Sequence, residues 1–232
     1  MLEKREKHCR IAISAVTLLL VVFCCSIALA AVEAGRVTHL SGPLFARKTD
    51  GATKTLSKNS IVEQGDVLIT ERRTYARIKF ADNSEVTLRP DTQFKVEAFH
   101  YEAHNPKQDK AIFSLTKGAL RALTGQVGKR STADSYKMKT PPAVIGIRGT
   151  IYEVKICADN CPGLANGIYF FVPEGDITIT NAAGTQTVSA GQYAYARDVN
   201  SAPVLLPGNP GIDFVIPGEI EAAGSTGGCI VR

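Results

Sequence analysis

The chain has 232 residues, of which 44% are hydrophobic, 21% charged and 7% aromatic, with no Trp. That composition fills one sizeable core or two small ones, and it excludes a disordered chain and a multi-span membrane protein. A formal net charge of +5 is too modest to point to nucleic acid.

Residues 1–30 stand apart. A basic head, Lys4, Arg5, Lys7 and Arg10, precedes an unbroken apolar run from Ile11 to Ala30. The run closes on Ala28-Leu29-Ala30, the small-residue pattern of a leader cleavage site, so 1–30 reads as a signal peptide helix. An uncleaved inner-membrane anchor is the alternative, because about 20 apolar residues span a bilayer. Phe23 and Cys24, each followed by a cysteine, are poor fits to the small residue that lipoprotein cleavage requires. The rest of the chain is therefore expected in the periplasm or exported, or else outside the cytoplasm on that anchor, which would be its sole membrane contact. Loss of the leader removes four Lys/Arg and two Asp/Glu and leaves a charge of +3.

After residue 31 helical periodicity is almost absent, and period-2 patterns bounded by Gly, Asn, Asp and Pro recur every eight to twelve residues or so, as in an all-β domain. Strands are expected at 36–40, 44–47 and 53–56. The stretch 65–99 reads as a meander with one wet face. In it Ala76, Ile78 and Phe80 alternate with Arg77 and Lys79, Asp82-Asn83-Ser84 reverses the chain, and Val86 and Leu88 follow. Pro90-Asp91 then turns into Phe94, Val96 and Ala98. Asn83 suits a tight hairpin that needs a positive φ.

Further strands are expected at 111–116, 119–123, 135–139, 143–156, 167–172, 176–180, 185–189 and 192–197. GDVLIT at 65–70 and GDITIT at 175–180 echo each other, a weak sign of similar coils. Beyond Val199 the chain turns Pro/Gly-rich, so 201–232 is expected to be an extended strap or a tail.

Of the six cysteines, Cys157, Cys161 and Cys229 lie after the leader. In an oxidising compartment Cys157 and Cys161 make a candidate disulfide loop, helped by Asn160 and Pro162-Gly163, and Cys229 is left over.

A search for chemistry narrows quickly. On a strand His100, Glu102 and His104 would share one face, a weak metal candidate, but the plainer expectation is the polar end of a strand running into Asn105-Pro106. Gly125 to Ser131 resembles a phosphate loop, yet two residues separate its glycines where four are needed, and no strand-then-helix context is expected there. Lys117, Arg121, Lys129, Arg130, Lys137 and Lys139 form a basic cluster interrupted by Asp134. Of these Arg121, Lys129, Arg130 and Lys137 are candidates for an anion or partner surface. No nucleophile elbow stands out, so the expectation is a non-enzymatic chain without cofactor or metal.

Four blocks in order, GDVLITERRTYARIKFADNSEVTLRP, FSLTKGALRALTGQVGKR, YKMKTPPAVIGIRGTIYEVKIC and EGDITITNAAGTQTVSAGQYAYA, resemble a FecR domain, the periplasmic domain named after the ferric-citrate regulator. The resemblance covers about 35–200 and is strongest at P-x-A-x-I-G-I-R-G-T. In the regulator this domain relays transporter occupancy to a cytoplasmic sigma factor through an anti-sigma segment. Here ten residues precede the apolar run, so the expectation is a stand-alone extracytoplasmic form. The resemblance implies an all-β, twisted solenoid-like or sandwich-like domain that binds an envelope protein partner, as an adapter in sensing or signal relay. The alternative is a glycan- or anionic-lipid-binding module with Tyr136, Tyr152, Tyr169, Tyr193 and Tyr195 as contacts.

Within the signature, Gly146, Arg148, Gly149 and Thr150 read as a structural motif. The glycines suit a bulge or a close strand approach, and Val144, Ile145, Ile147, Ile151 and Val154 are expected inside. The Arg148 fork would tie down turn carbonyls or a carboxylate such as Glu85, Asp91 or Glu153. On that reading Arg148→Lys lowers the melting temperature by several degrees, since an ammonium cannot reproduce the fork. A variant of parental stability that no longer binds its partner would make Arg148 a binding group.

Overall fold

The structure is a computed structural model that describes residues 32–130, 134–212 and 218; of Arg148 the backbone alone is described. The leader and Cys229 lie outside the described residues. The chain runs through β1 (Glu33–Leu40), β2 (Leu44–Arg47), β3 (Thr53–Leu56), β4 (Ile61–Glu63), β5 (Val67–Thr70) and β6 (Ala76–Phe80). It continues with β7 (Glu85–Leu88), β8 (Gln93–His100), β9 (Lys110–Lys117) and β10 (Ala119–Leu123). A short helix α1 (Gln126–Arg130) leads to β11 (Tyr136–Lys139), β12 (Val144–Cys157), β13 (Gly167–Asn181), β14 (Gly184–Ser189), β15 (Tyr193–Ala196) and β16 (Val204–Leu206).

The all-β expectation holds, in the form of one sheet curled into a half-barrel. Its spine is the antiparallel ribbon β12–β13, paired from Val144↔Thr180 to Cys157↔Gly167. Two branches leave the same edge of β12. Its first residues pair with β11, which continues through β9, β8, β5 and β2 to β3. Residues 151–155 pair instead with β10, which continues through β7, β6 and β1 to β4. The branches fold over one another, and their inner faces meet in an aromatic cluster. Phe80 of β6 lies 4.9 Å from Phe113 of β9 and 5.4 Å from Phe99 of β8, and Phe113 also meets Phe94 and Tyr136. Each of these rings buries a large apolar area, and their tilted contacts add to that burial.

Several expectations need correction. The Asp82-Asn83-Ser84 hairpin forms between β6 and β7, with Asn83 at φ 64°. The meander ends there, because β7 lies beside β10 while β8 lies beside β5 and β9. The face expected to be wet is covered at its centre: Arg77 is 7% and Thr87 5% exposed. The expected strands 167–172 and 176–180 are one 15-residue strand. The short strand β4 was not foreseen. Past residue 200 the chain still pairs, β16 against β15, and Ile212 is buried. The two echoing segments do share a backbone feature, for Gly65 and Gly175 both have positive φ.

A strand-then-helix unit also exists where none was expected, for β10 leads across Gly125 into α1. The turn of the β6–β7 hairpin builds it. The Gln126 amide donates to the Asp82 carbonyl at 2.8 Å, and the Val127 amide donates to the Asp82 carboxylate at 3.2 Å. The other oxygen of that fully buried carboxylate accepts from the Ser84 amide and hydroxyl. An anion thus already satisfies the amides that a phosphate would seek. Gly125 is required for the contact, because a Cβ there would stand 2.3 Å from both the Asp82 carbonyl oxygen and the Ser84 nitrogen. Gly125→Ala is expected to cost about 2–3 kcal/mol by overpacking, measurable as a lower urea midpoint; a neutral result would mean the hairpin can move away from α1.

Candidate functional site

The signature IGIRGT lies where β12 forks. Gly149 takes φ +63°, and the register of β12 against β13 slips between Arg148 and Ile151. This is a bulge, and left-handed backbone there favours glycine. Thr150 fixes it. Its amide donates to the Thr124 hydroxyl at 2.7 Å, and its carbonyl accepts from the Thr124 amide and hydroxyl, both at 3.1 Å. Its own hydroxyl donates to the Asp176 carbonyl at 2.7 Å. On the other side of the ribbon Gly175, at φ +82°, packs so closely that a Cβ would lie 2.9 Å from the Gly149 carbonyl oxygen.

Two rows of cross-strand neighbours cover the outer face on either side of the fork. One runs His39, Arg77, Thr87, Arg121, Glu153, Phe171, Tyr193, Leu206. Within it Arg77 Nε donates to the Thr87 hydroxyl at 3.3 Å, Arg121 lies 3.5 Å from the buried Glu153 carboxylate, and Phe171 stacks on Tyr193 at 4.4 Å. The other runs Lys137, Gly146, Thr178, Thr187. Here the glycine leaves a half-open groove of about 620 Å³ between Val144, Ile147, Thr178, Thr180 and Asp176. Lys137 stands on its wall and pairs with Asp134 at 2.8 Å, which holds that carboxyl below its ordinary range.

The candidate cations separate. Lys137 flanks Gly146, the Lys129 stem lies 3.8 Å from where a Gly149 Cβ would be, and Arg121 flanks Glu153. All three therefore border β12. Arg130 turns away from them and is not a free cation. Its fork reaches both oxygens of the buried Asp109 carboxylate at 2.9 and 3.2 Å and also donates to the Ala103 and Glu102 carbonyls, while its carbon sits 4.8 Å over the Tyr101 ring. That is the role foreseen for Arg148, whose backbone faces Asp176 and whose side chain lies outside the described residues. Of the five residues expected inside β12, Ile145, Ile147 and Val154 are buried. Val144 and Ile151 point outward on the alternate face.

Cys157 and Cys161 form the expected disulfide, with Cα atoms 5.5 Å apart, at the turn of the ribbon. Their loop and Ile212 cover Tyr169, forming a small second core. β8 ends at His100, so His104 does not share a strand face with it; His100 and Glu102 approach to 3.5 Å with both side chains half exposed. Among the described residues no group of three or more His, Cys, Asp or Glu could hold a metal ion. The tyrosines do not form an open aromatic platform. Tyr136 and Tyr152 are fully buried with hydroxyls 3.3 Å apart, and burial pushes both phenols up. Tyr169 and Tyr195 pack at 4.8 Å and donate to loop carbonyls of Ala165 and Asn166.

Sequence reasoning missed the groove. Its one available signal was the D-I-T-I-T alternation of β13, which places Asp176, Thr178 and Thr180 on a single face opposite Gly146.

His39 ends the long row with a buried Nδ1 that has no hydrogen-bond partner. Burial, with Arg77 and Lys58 adding like charge, lowers its pKa from 6.5. As pH falls, the unfolded chain takes up this proton before the folded one. The linked stability is full above about pH 6.5 and is lost as pH drops toward the lower folded value. Urea midpoints should therefore decline below pH 6.5 with a slope that His39→Gln flattens; an equal slope in the variant would acquit His39.

Residues 66–161 match the family model described as FecR protein. No curated protein sequence matches the chain. Two crystal structures of a protein from Parabacteroides distasonis ATCC 8503, described as a candidate anti-sigma factor, are similar in part. One aligns at 11% identity with a TM-score of 0.47, the other at 10% with 0.46, and each alignment covers 62% of this chain. The aligned part spans 60% of the other chain, less than two thirds of its length. The family match begins at Asp66, just before β5, takes in the fork and ends at the disulfide, so it is this segment of the chain that is similar to FecR proteins.

Proposed function

We propose that this chain is a non-enzymatic adapter of the cell envelope, a FecR-domain protein that binds another protein in sensing or signal relay. The observation that carries the reading is how the charged groups of the matched segment are used. Arg130 holds Asp109, Asp82 holds α1, and Arg121 borders Glu153. Lys48, just before the matched segment, donates to Glu63 and Asp66 at 2.6 and 2.8 Å. These groups stabilise the fold where an enzyme would aim them into a cleft. The exposed outer face of the ribbon is what the domain has to offer a partner. The disulfide and the apolar leader support a place outside the cytoplasm, since such bonds persist in oxidising compartments. Among the described residues no helix is long and apolar enough to cross a membrane.

The glycan- or lipid-binding alternative gains no support from the buried and loop-bonded tyrosines. The test is site-specific photo-crosslinking in cells, with the photoreactive residue at Lys137, on β11 beside the ribbon, and, as a control, at Thr55 on the edge strand β3. A discrete envelope protein is expected from position 137 and not from 55, together with Cys157 and Cys161 resistant to maleimide until reduced. Free thiols in a cytoplasmic fraction, or no protein adduct at 137, would overturn the reading.

A further inference from the structure

We propose that the pairing of β1 decides whether the leader is removed: once β1 is in the sheet, the Ala30–Ala31 peptide bond is closed to a signal peptidase, and the domain stays on the membrane. This rests on the reading of 1–30 as a leader. It makes the released chain and the anchored chain two outcomes of one competition.

Very little chain separates the cleavage pattern from the sheet. Ala28-Leu29-Ala30 closes the apolar run, and Ala31 alone stands between it and Val32. Val32 is already held, for its carbonyl accepts from the Gln64 amide at 3.0 Å. Glu33 opens β1 opposite Glu63 of β4. Ala34 has no exposed surface, and its carbonyl accepts at 3.0 Å from the Ala81 amide, just past β6. Gly35 packs so closely on β6 that a Cβ there would stand 2.5 Å from the Lys79 carbonyl oxygen. The four residues after Ala31 are thus committed to β4 and β6. A protein that binds a peptide as an extended strand takes up the same backbone groups that a sheet uses, so residues 32–35 cannot serve both. Nor can the bond move clear of the sheet, because two residues of extended chain reach at most about 7 Å from Val32 back to Ala30.

The partners of β1 also come early. β4, β1, β6 and β7 are neighbours in the sheet, and the last of them ends at Leu88. Val37, Ile78 and Val86 form one buried row across three of them. Three or more strands with an apolar face can hold together by themselves, so β1 pairs before β12 arrives to unite the branches. Cleavage has a window that closes when residues 61–88 have been exported and have paired. Within it a signal peptidase adds water across the Ala30–Ala31 bond, which leaves a carboxylate on Ala30 and an amino terminus on Ala31. Afterwards the bond is reached only in the fraction of chains whose β1 has opened, and cutting slows by that fraction. Left uncut, the apolar run from Ile11 to Ala30 is long enough to span a bilayer.

The test is an order-of-addition experiment on the full chain. Chain denatured in urea is diluted into detergent micelles, with a purified signal peptidase either present from the start or added after refolding, and the N-terminus is read by mass spectrometry. A product beginning at Ala31 is expected in the first order, and cutting at least about tenfold slower in the second. A spacer of about ten Gly/Ser residues between Ala31 and Val32, with a reach of about 17 Å, should restore cutting of the refolded chain and leave its Tm unchanged. Ala34→Glu, a charge in a fully buried place, should restore it by opening β1, whether or not the rest of the domain folds. Equal rates in the two orders, or a refolded spacer variant that still resists, would overturn the proposal. No cutting in either order would overturn it as well, and would make residues 1–30 an anchor whatever the fold does. The adapter reading stands or falls separately, on the crosslink at position 137.

Discussion

The hydrogen bonds of Thr150 hold three parts of this protein in one arrangement. A single residue reaches β10 through Thr124, β13 through the Asp176 carbonyl, and lies in β12 itself. Thr124 and Thr150 are both buried, so an unmade bond between them would leave a polar atom without water, at a cost of about 1–3 kcal/mol each. The sheet can fork at this point because the backbone turns at Gly149 into a conformation that most side chains resist. From the fork follow the facing of the two branches, the aromatic cluster between them, and the two outer rows on either side of the bulge. Within IGIRGT it is Gly149 and Thr150 whose geometry shapes the fork.

Charge in this domain is mostly inward-looking. The Asp82 carboxylate meets the first amides of α1, and the Arg130 fork closes the far end of the same helix onto Asp109 and the loop after β8. A five-residue helix has little stability of its own, so both ends are held by the strands it bridges. The helix fills the crotch that the fork creates between β10 and β11. Two features that resembled ligand chemistry in one dimension, a glycine-rich loop and a basic run, are in three dimensions the fastening of one short element.

Local chemistry was legible from the sequence where a single residue decides the backbone. Asn83 at the hairpin, Gly149 at a bulge and the Cys157–Cys161 pair are all of this kind. Neighbour relations were not legible, because nothing in the Pro90-Asp91 turn says that β8 crosses to the other branch. The burial of Arg77 was hidden for the same reason: it depends on Thr87 and Glu85 beside it and on β1 beyond. Gly125 reads as a flexible loop residue until Asp82 is seen against it. Gly146 is the converse case, a glycine that neither a positive φ nor a close contact requires.

The fork also dictates an order of assembly. β10 and β11 pair with β12 along one edge, so each ends its branch with an open row of amides and carbonyls until residues 144–155 arrive. In a chain threaded out from its N-terminus, every strand from β1 to β11 precedes the one that unites them. Such exposed edges invite mispairing while they wait. The β12–β13 ribbon, by contrast, is joined through the nine residues between Cys157 and Gly167 that carry the disulfide, and it can close locally. The last third of the domain therefore acts as the template on which the first two thirds settle, and a chain cut short before Thr150 would be left as two unjoined half-sheets.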